Sequence, residues 1–393
     1  MAPATEFQGS FLSRISIRRN QIVSMDVNHE AELEELECFQ KHVADRFSEL
    51  ISPSPPPSFS SSSSQPSDPI LSIPWLLNLL DAFTSCETEF KAILTTTQIS
   101  KSPSLERVLP EMLDRILKAL DICNAVVNCI DSVRQSRRLA EIAVTALKQR
   151  PLCDGSVRRA KRALTNLLIA LNADGKDRNG GSGGTSNRRT TSRSWSFGQK
   201  SNVSGGSSGH VSKNWSATKQ IQAMVANLVL PRGAEASGPA MPVYIMSSLM
   251  VLVMWVLVAA VPYHTSSVLA APLPLPKHQS WASAAVNIQE RVGEEMKRKV
   301  KRCGGFTGGL MEEMQSLERI GLSLLEFAER FKFPAEEEEE EEVSEKVDEM
   351  EEVCRRMEVG LEDLQRQVRE VFHRLARSRI EIVKLLEQTP ATI

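Results

Sequence analysis

The sequence lacks the residue spacings on which metal and catalytic sites are usually built. Its seven cysteines include no Cys-x-x-Cys pair, and its six histidines show no His-Glu-x-x-His or other paired spacing. Metal ligands come in close groups with characteristic spacings. We therefore predict no metal site, no cofactor and no catalytic residue, and we expect a protein that is not an enzyme.

Two glycine-rich stretches match a catalytic motif in letters only. The pattern Gly-x-Ser-x-Gly occurs around Ser182 and around Ser207, within a long stretch of Gly, Ser and Arg. A nucleophilic serine of this kind needs a strand before it and a helix after it to form a strained turn. Neither is indicated here, so both serines are interpreted as linker residues.

Aromatic residues are also scarce, at 5% of the 393 residues, and the β-branched residues are scattered. Long runs of Leu, Glu, Ala, Arg and Lys favour helix over sheet. We find no convincing pair of strands and no repeat of about 20 to 50 residues. The predicted fold class is all-α: a multi-helix bundle with a long C-terminal heptad helix, disordered linkers and one hydrophobic helix.

The first twenty residues, "MAPATEFQGSFLSRISIRRN", contain no continuous apolar run. A cleaved secretory signal needs such a run, so none is expected and the chain is predicted to start in a reducing compartment. The cysteines are odd in number and spread out, mostly at apolar positions of helical patterns. We predict that they are buried, reduced thiols.

Shifts in composition divide the chain into four regions. Stretches of Pro, Gly and Ser have too little apolar surface to offset the entropy of ordering them, so they are predicted to be linkers. The acidic run is interpreted as solvated surface. The regions are a basic N-terminal arm (1–25), an N-terminal helical region (26–172) containing a Ser/Pro linker (52–69), a disordered basic Gly/Ser linker (173–215), and a C-terminal helical region (216–393) containing a hydrophobic helix (243–261), an acidic run (336–342) and a heptad helix (343–388).

Charge is distributed unevenly. Residues 1–277 carry 29 Lys/Arg and 23 Asp/Glu, whereas residues 278–393 carry 18 and 26, which gives net charges of +6 and −8. A helix predicted from about residue 156 to 171 has Arg158, Arg159, Lys161 and Arg162 on its first turns. The two parts of the chain are therefore expected to attract each other or different partners.

The basic linker suggests two further properties. It can approach anionic lipid, and Ser192 and Ser196 each follow an arginine by three positions, which predicts phosphorylation there. Nucleic acid is not an expected partner, because the linker has few aromatic residues and no folded platform on which bases would stack.

The most regular feature of the sequence is its last helix. Thirteen positions alternate in steps of four and three, and twelve of them are apolar. Such a pattern is typical of a coiled-coil seam or of a long bundle helix. We predict that this helix docks a partner protein through Leu361, Leu364, Val368, Val371 and Leu375. The full set of positions is Val343, Val347, Met350, Cys354, Met357, Leu361, Leu364, Val368, Val371, Leu375, Ser378, Ile382 and Leu385.

The hydrophobic stretch from Val243 to Val261 contains no charged residue. As a helix it rises about 28 Å, close to the roughly 30 Å hydrocarbon layer of a bilayer, which favours insertion. A helix that is apolar on every side is also typical of the centre of a soluble bundle. Basic residues on both sides give no orientation, so both interpretations stay open.

Four segments, taken in order, resemble the plant BYPASS and ROH-like family: "GSFLSRISIRRNQIVSMDVNHEAELEELECFQKHVADRF", "SRSWSF", "NWSATKQIQAMVANLVLPRG" and "LMVLVMWVLVAAVP". The resemblance implies an all-helical protein without known catalytic activity, often with one hydrophobic span. It also implies a role in plant development and polarised secretion, through binding of the membrane-tethering subunit of the exocyst. No ligand or catalytic residues are defined for the family.

The expected function is that of a non-enzymatic adaptor in polarised secretion, which binds an exocyst subunit through amphipathic helices at the cytosolic face of membranes. The alternative is a single-pass membrane regulator of development that restrains a mobile signal made in roots. The protein is expected to be associated with membranes and to face the cytoplasm. A separate cytoplasmic pool is left open. The oligomeric state, the exact partner and the family branch are left open.

Overall fold

A computed structural model describes residues 30–51, 68–96, 103–172, 216–262, 272–303, 309–333 and 337–387. Every regular element in these ranges is helical, which confirms the predicted fold class. Two short 3-10 helices, Gly233–Ser237 and Ser280–Ala282, precede α6 and α7. The α-helices are α1 (30–49), α2 (Ile73–Thr96), α3 (Pro103–Leu147), α4 (Asp154–Asn172), α5 (Ala217–Ala226), α6 (Ala240–Ala260), α7 (Ser283–Cys303), α8 (Glu312–Arg330) and α9 (Glu337–Glu387).

The hydrophobic helix α6 lies at the centre of the bundle. It packs against α2, α3, α5 and α7, and all 21 of its residues are buried. Because α6 is apolar around its whole circumference, it can be stable in water only if neighbours cover every side. The amphipathic faces of the surrounding helices provide that cover within the same chain.

Helix α6 ends in a close contact with the segment before α8. The backbone N–H groups of Leu310 and Met311 donate to the carbonyl oxygens of Ala259 and Ala260, both at 2.9 Å. The last carbonyl groups of a helix have no partner within the helix. This segment therefore satisfies two acceptors that would otherwise be buried without hydrogen bonds.

Gly309 allows this contact, because a side chain there has no room. A Cβ atom would overlap the carbonyl oxygen of Ala260 and lie 2.5 Å from the carbonyl carbon of Val261. We expect Gly309→Ala to lower the free energy of unfolding by about 1–3 kcal/mol through overpacking. Urea denaturation followed by circular dichroism measures this change.

Gly293, in the middle of α7, is the matched control. A Cβ atom at this position meets nothing within 4 Å. Gly293→Ala is expected to raise stability by about 0.5–1 kcal/mol, since alanine loses less backbone entropy in a helix than glycine. Equal effects of the two substitutions would contradict the close approach at Gly309.

The heptad helix α9 is an integral part of the same core. Its most extensive contacts are with α3, and it also packs against α2 and α8. Twelve of the thirteen predicted seam positions are buried, and Leu385 is partly buried against the core. The seam is therefore filled by helices of this chain, including the N-terminal helices α2 and α3.

Buried polar contacts align α9 with α2. Glu87, which is 3% exposed, accepts hydrogen bonds from Arg374 at 3.2 Å and from the Ser378 hydroxyl. A buried carboxylate is stable only when it is paired and hydrogen-bonded. These contacts favour a single register of the two helices. A second polar contact joins α9 to α3: the Arg134 side chain donates a hydrogen bond to Gln365 Oε1 at 2.7 Å.

The helix boundaries refine the sequence predictions. Residues 103–147 form one continuous helix, with Pro110 inside it. Helix α9 begins at Glu337, six residues before the predicted start, so most of the acidic run is helical. Glutamate is a good helix former and is favourable near a helix N-terminus, which accounts for this extension.

Candidate functional site

The outward face of α9 is a long exposed surface. Helix α9 has 51 residues and is about 76 Å long, with its seam turned inward and a charged face turned to solvent. Two large apolar side chains, Val359 and Ile380, are also exposed on it, at 65% and 53%. This face offers a partner both charge and apolar contact area.

The charges on this face are segregated along the helix. Its first half exposes mainly carboxylates and its second half mainly basic groups. Interaction with the helix dipole fades within the first and last turn, so it does not account for charges in the middle of α9. The exposed groups in the first half are Glu341, Glu342, Glu345, Asp348, Glu351, Glu352, Glu358 and Glu362, with Arg355 and Arg356 between them, and those in the second half are Arg366, Arg369, His373, Arg377 and Lys384, with Glu370 and Glu387.

The basic groups in the second half of the face are only partly neutralised. Arg366 pairs with Asp363 at 2.7 Å. Within the described residues, no carboxylate lies within ion-pair distance of Arg369 or Arg377. The second half of the face therefore presents positive charge that is available to an acidic partner.

The five predicted partner-binding residues lie on the opposite side of α9. Leu361, Leu364, Val368, Val371 and Leu375 are each at most 1% exposed and belong to the hydrophobic core. Direct contact of these residues with a partner stays a prediction, which requires α9 to separate from α2 and α3. In the closed bundle, the side of α9 that is exposed to solvent is the outward face.

A groove between α3 and α4 is a second candidate site. It has a volume of about 650 Å³, and Arg158, Arg159 and Arg162 converge on it from α4. The sequence shows these arginines on one short segment but not the groove, because the groove forms only when α4 packs beside the second half of α3.

The cysteine prediction holds for some residues and is wrong for others. Cys86, Cys123 and Cys354 are buried, and desolvation raises the pKa of each thiol to about 12. Cys38 and Cys153 are exposed. A hydrogen bond from the backbone N–H of Ser156 lowers the pKa of the Cys153 thiol. Thiolate formation is therefore suppressed at the three buried cysteines and favoured at Cys153.

Other predicted features fall outside the described residues. They include Ser182, Ser192, Ser196 and Ser207. Within the described ranges, no group of three or more His, Cys, Asp or Glu side chains is placed to hold a metal ion.

Glu313 is a buried carboxyl group of α8 that lies beside the start of α2. It is 2% exposed, and its Oε1 accepts a hydrogen bond from the backbone N–H of Ile73 at 3.0 Å. Its Oε2 has no hydrogen-bond partner among the described residues. Burial raises the pKa of Glu313, despite the opposing hydrogen bond and the charge of Arg356.

This raised pKa makes stability depend on pH. Because the folded pKa exceeds the unfolded value, the group favours folding at low pH, and this contribution is lost as pH rises through the folded pKa. Glu313→Gln keeps an acceptor for Ile73 and removes the ionisation. We expect the variant to gain stability relative to the wild type as pH rises from 5 to 8, measured by urea denaturation at each pH. Glu326→Gln, on the exposed face of α8, should show no such trend.

Comparisons with known proteins give a consistent result. A family model described as "Protein ROH1-like" matches residues 2–386. Protein ROH1A of Arabidopsis thaliana is 55% identical to the chain over 412 residues, which cover 99% of this chain and 98% of the relative. Protein ROH1D of the same plant is 34% identical over 407 residues, covering 96% and 97%. No solved structure gives a significant match.

Proposed function

Because the chain belongs to the ROH1-like family, whose membership suggests a plant regulatory role, we propose that it is a non-enzymatic adaptor in polarised secretion. In this proposal it binds a subunit of the exocyst at membranes. The family names point to regulation rather than catalysis. The exocyst subunit is proposed as the partner because of the family resemblance of the sequence.

The observation that carries the proposal is the outward face of α9. Its charge is segregated along the helix and is only partly neutralised by neighbouring residues, and Val359 and Ile380 add exposed apolar surface. Separated charges of opposite sign fix the direction in which a partner helix can lie, and they accelerate association. An adaptor needs a long, rigid surface of this kind.

A binding assay with the purified exocyst subunit tests the proposal. The double variant Arg369→Glu, Arg377→Glu reverses the basic half of the face without touching the seam. We expect at least tenfold weaker binding, since reversed charges oppose rather than favour the contact. Far-ultraviolet circular dichroism should remain that of the wild type.

The matched control reverses two exposed charges elsewhere. Lys297→Glu with Arg298→Glu on α7 makes the same change in net charge, and both side chains are exposed. Binding should be unchanged in this variant. Equal loss in both variants, or no loss in the α9 variant, would contradict docking through the outward face.

The alternative function, a single-pass membrane regulator of development, is favoured by one observation. Helix α6 is long enough to cross a bilayer, and its mean hydropathy is 2.4. However, the whole of that segment is buried inside the protein. We therefore propose that membrane association is peripheral and that α6 stays in the core. Alkaline carbonate extraction discriminates, because it releases a peripheral protein and leaves a single-pass protein in the membrane.

A further inference from the structure

The groove between α3 and α4 is open to solvent and carries the charge expected of an anion site. Its volume is about 650 Å³. Arg158, Arg159 and Arg162 lie on the first turns of α4, and Arg158 and Arg162 are one turn apart on the same face.

Positive charge in this groove is poorly neutralised. Arg158 has a carboxylate neighbour, Asp154, at 3.5 Å, and both side chains are more than half exposed. No described carboxylate lies within ion-pair distance of Arg159 or Arg162, and the described lining contains no acidic residue.

Two carboxylates on adjoining segments are already paired. Glu141 of α3, next to Ile142 in the sequence, pairs with Arg137 at 2.8 Å. Glu329 of α8 pairs with Lys161 at 3.5 Å. The groove therefore attracts an anion that the described part of the chain does not itself provide.

Apolar side chains border the arginines. Leu139 and Ile142 of α3 line the groove, and Ile142 is 39% exposed. Ile169 lies one turn beyond Asn166 on α4 and is 59% exposed. Guanidinium groups beside exposed aliphatic groups match a ligand that is anionic at one end and apolar at the other.

We propose that this groove binds a phosphate monoester on the headgroup of a phosphoinositide at a membrane surface. Each guanidinium can donate two parallel hydrogen bonds to phosphate oxygens, which a simple ammonium group cannot. The Asn166 amide adds a further donor, and Ile142 and Ile169 contact the apolar region below the headgroups. An acidic helix is a poorer match, because such a helix docks along an extended apolar groove. The inference rests on the proposed membrane association but not on the exocyst partner.

A vesicle co-sedimentation assay with the full chain tests this inference. The probes are phosphatidylcholine vesicles containing phosphatidylinositol phosphate, and vesicles of equal total charge containing phosphatidylserine. The triple variant Arg158→Gln, Arg159→Gln, Arg162→Gln should bind the phosphoinositide vesicles at least tenfold more weakly than the wild type. The variant with lysine at all three positions should bind with intermediate affinity, because it keeps the positive charge but loses the planar guanidinium groups that donate paired hydrogen bonds.

A control variant separates the groove from overall charge. Arg355→Gln, Arg356→Gln, Arg366→Gln removes the same number of exposed arginines from α9, and it should bind phosphoinositide vesicles as the wild type does. Equal losses in the two glutamine variants, or no loss in the groove variant, would overturn the proposal. So would equal binding of the wild type to both kinds of vesicle.

Two soluble competitors identify the source of the phosphate. Soluble inositol phosphate should compete with the vesicles for the groove but bind more weakly, because it lacks the apolar contacts. Binding of inositol phosphate without binding to vesicles would overturn the lipid assignment. Displacement of vesicles by an acidic peptide alone would also overturn it. If the exocyst assay fails while the groove-dependent vesicle binding persists, only the proposed protein partner is wrong.

Discussion

Leu364→Asp is expected to remove more than about 4 kcal/mol of the free energy of unfolding, which is a large fraction of the stability of a typical domain. Leu364 is 1% exposed and lies on the seam where α9 packs into the core. An ionised carboxylate at this position loses its hydration, and the apolar core around it offers no group to pair with. Circular dichroism and analytical gel filtration should show a poorly folded, associating chain.

Val359→Asp is the matched control on the same helix. Val359 lies five residues earlier and is 65% exposed. The same aliphatic-to-aspartate change there should alter stability by no more than about 0.5 kcal/mol, because the carboxylate remains hydrated. If Leu364→Asp unfolds as the wild type does, the seam is not buried in the chain and remains free for a partner.

Leu252→Asp in the middle of α6 is expected to have an equally large effect. Leu252 is fully buried, and α6 contacts four other helices. A charge at this position destabilises every helix pair that shares α6, so the protein should lose cooperative unfolding altogether. The measurement is thermal or urea denaturation of the detergent-free protein.

The volume-conserving variant Leu252→Met distinguishes packing from polarity. It should cost less than about 1.5 kcal/mol, because methionine fills a similar space without a charge. If α6 instead crosses a membrane, the amphipathic helices do not depend on it. Leu252→Asp would then leave their unfolding unchanged and act only on insertion.

The sequence predicted the helices well because hydrophobic periodicity and helix formers agree along most of the chain. The seam of α9 is a clear case: the alternating steps from Val343 to Ile382 are the positions that the core buries. The same pattern did not indicate which helix fills the seam. Intramolecular and intermolecular partners impose the same spacing, so the prediction that Leu361, Leu364 and Val368 face a partner could not be checked from the sequence.

Helix α6 presents the same ambiguity in another form. A stretch that is apolar on every side satisfies both the requirement of a bilayer and that of a bundle centre. Residues far away in the sequence decide between the two. Helices α2 and α3, which precede the basic linker in the sequence, and α7, which follows α6, all pack against α6. Such long-range packing leaves no local signal.

The arginine groove shows the limit of sequence analysis for the candidate sites. Arg158, Arg159 and Arg162 are visible as a basic segment, but their apolar border comes partly from Leu139 and Ile142 on another helix. Similarly, the ionisation of Glu313 depends on its burial beside Ile73, which lies 240 residues away in the chain. Tertiary contacts, and not residue type, create both environments.

Amide hydrogen exchange of α6 in detergent-free buffer tests most directly the claim that the chain encloses its own hydrophobic helix. We predict that the amides of Met246 to Val258 exchange only through global unfolding, with protection equal to that of the centres of α3 and α9. Rapid exchange of these amides while α3 and α9 stayed protected would contradict an enclosed α6. Protection of α6 that appeared only after detergent or lipid vesicles were added would contradict it equally.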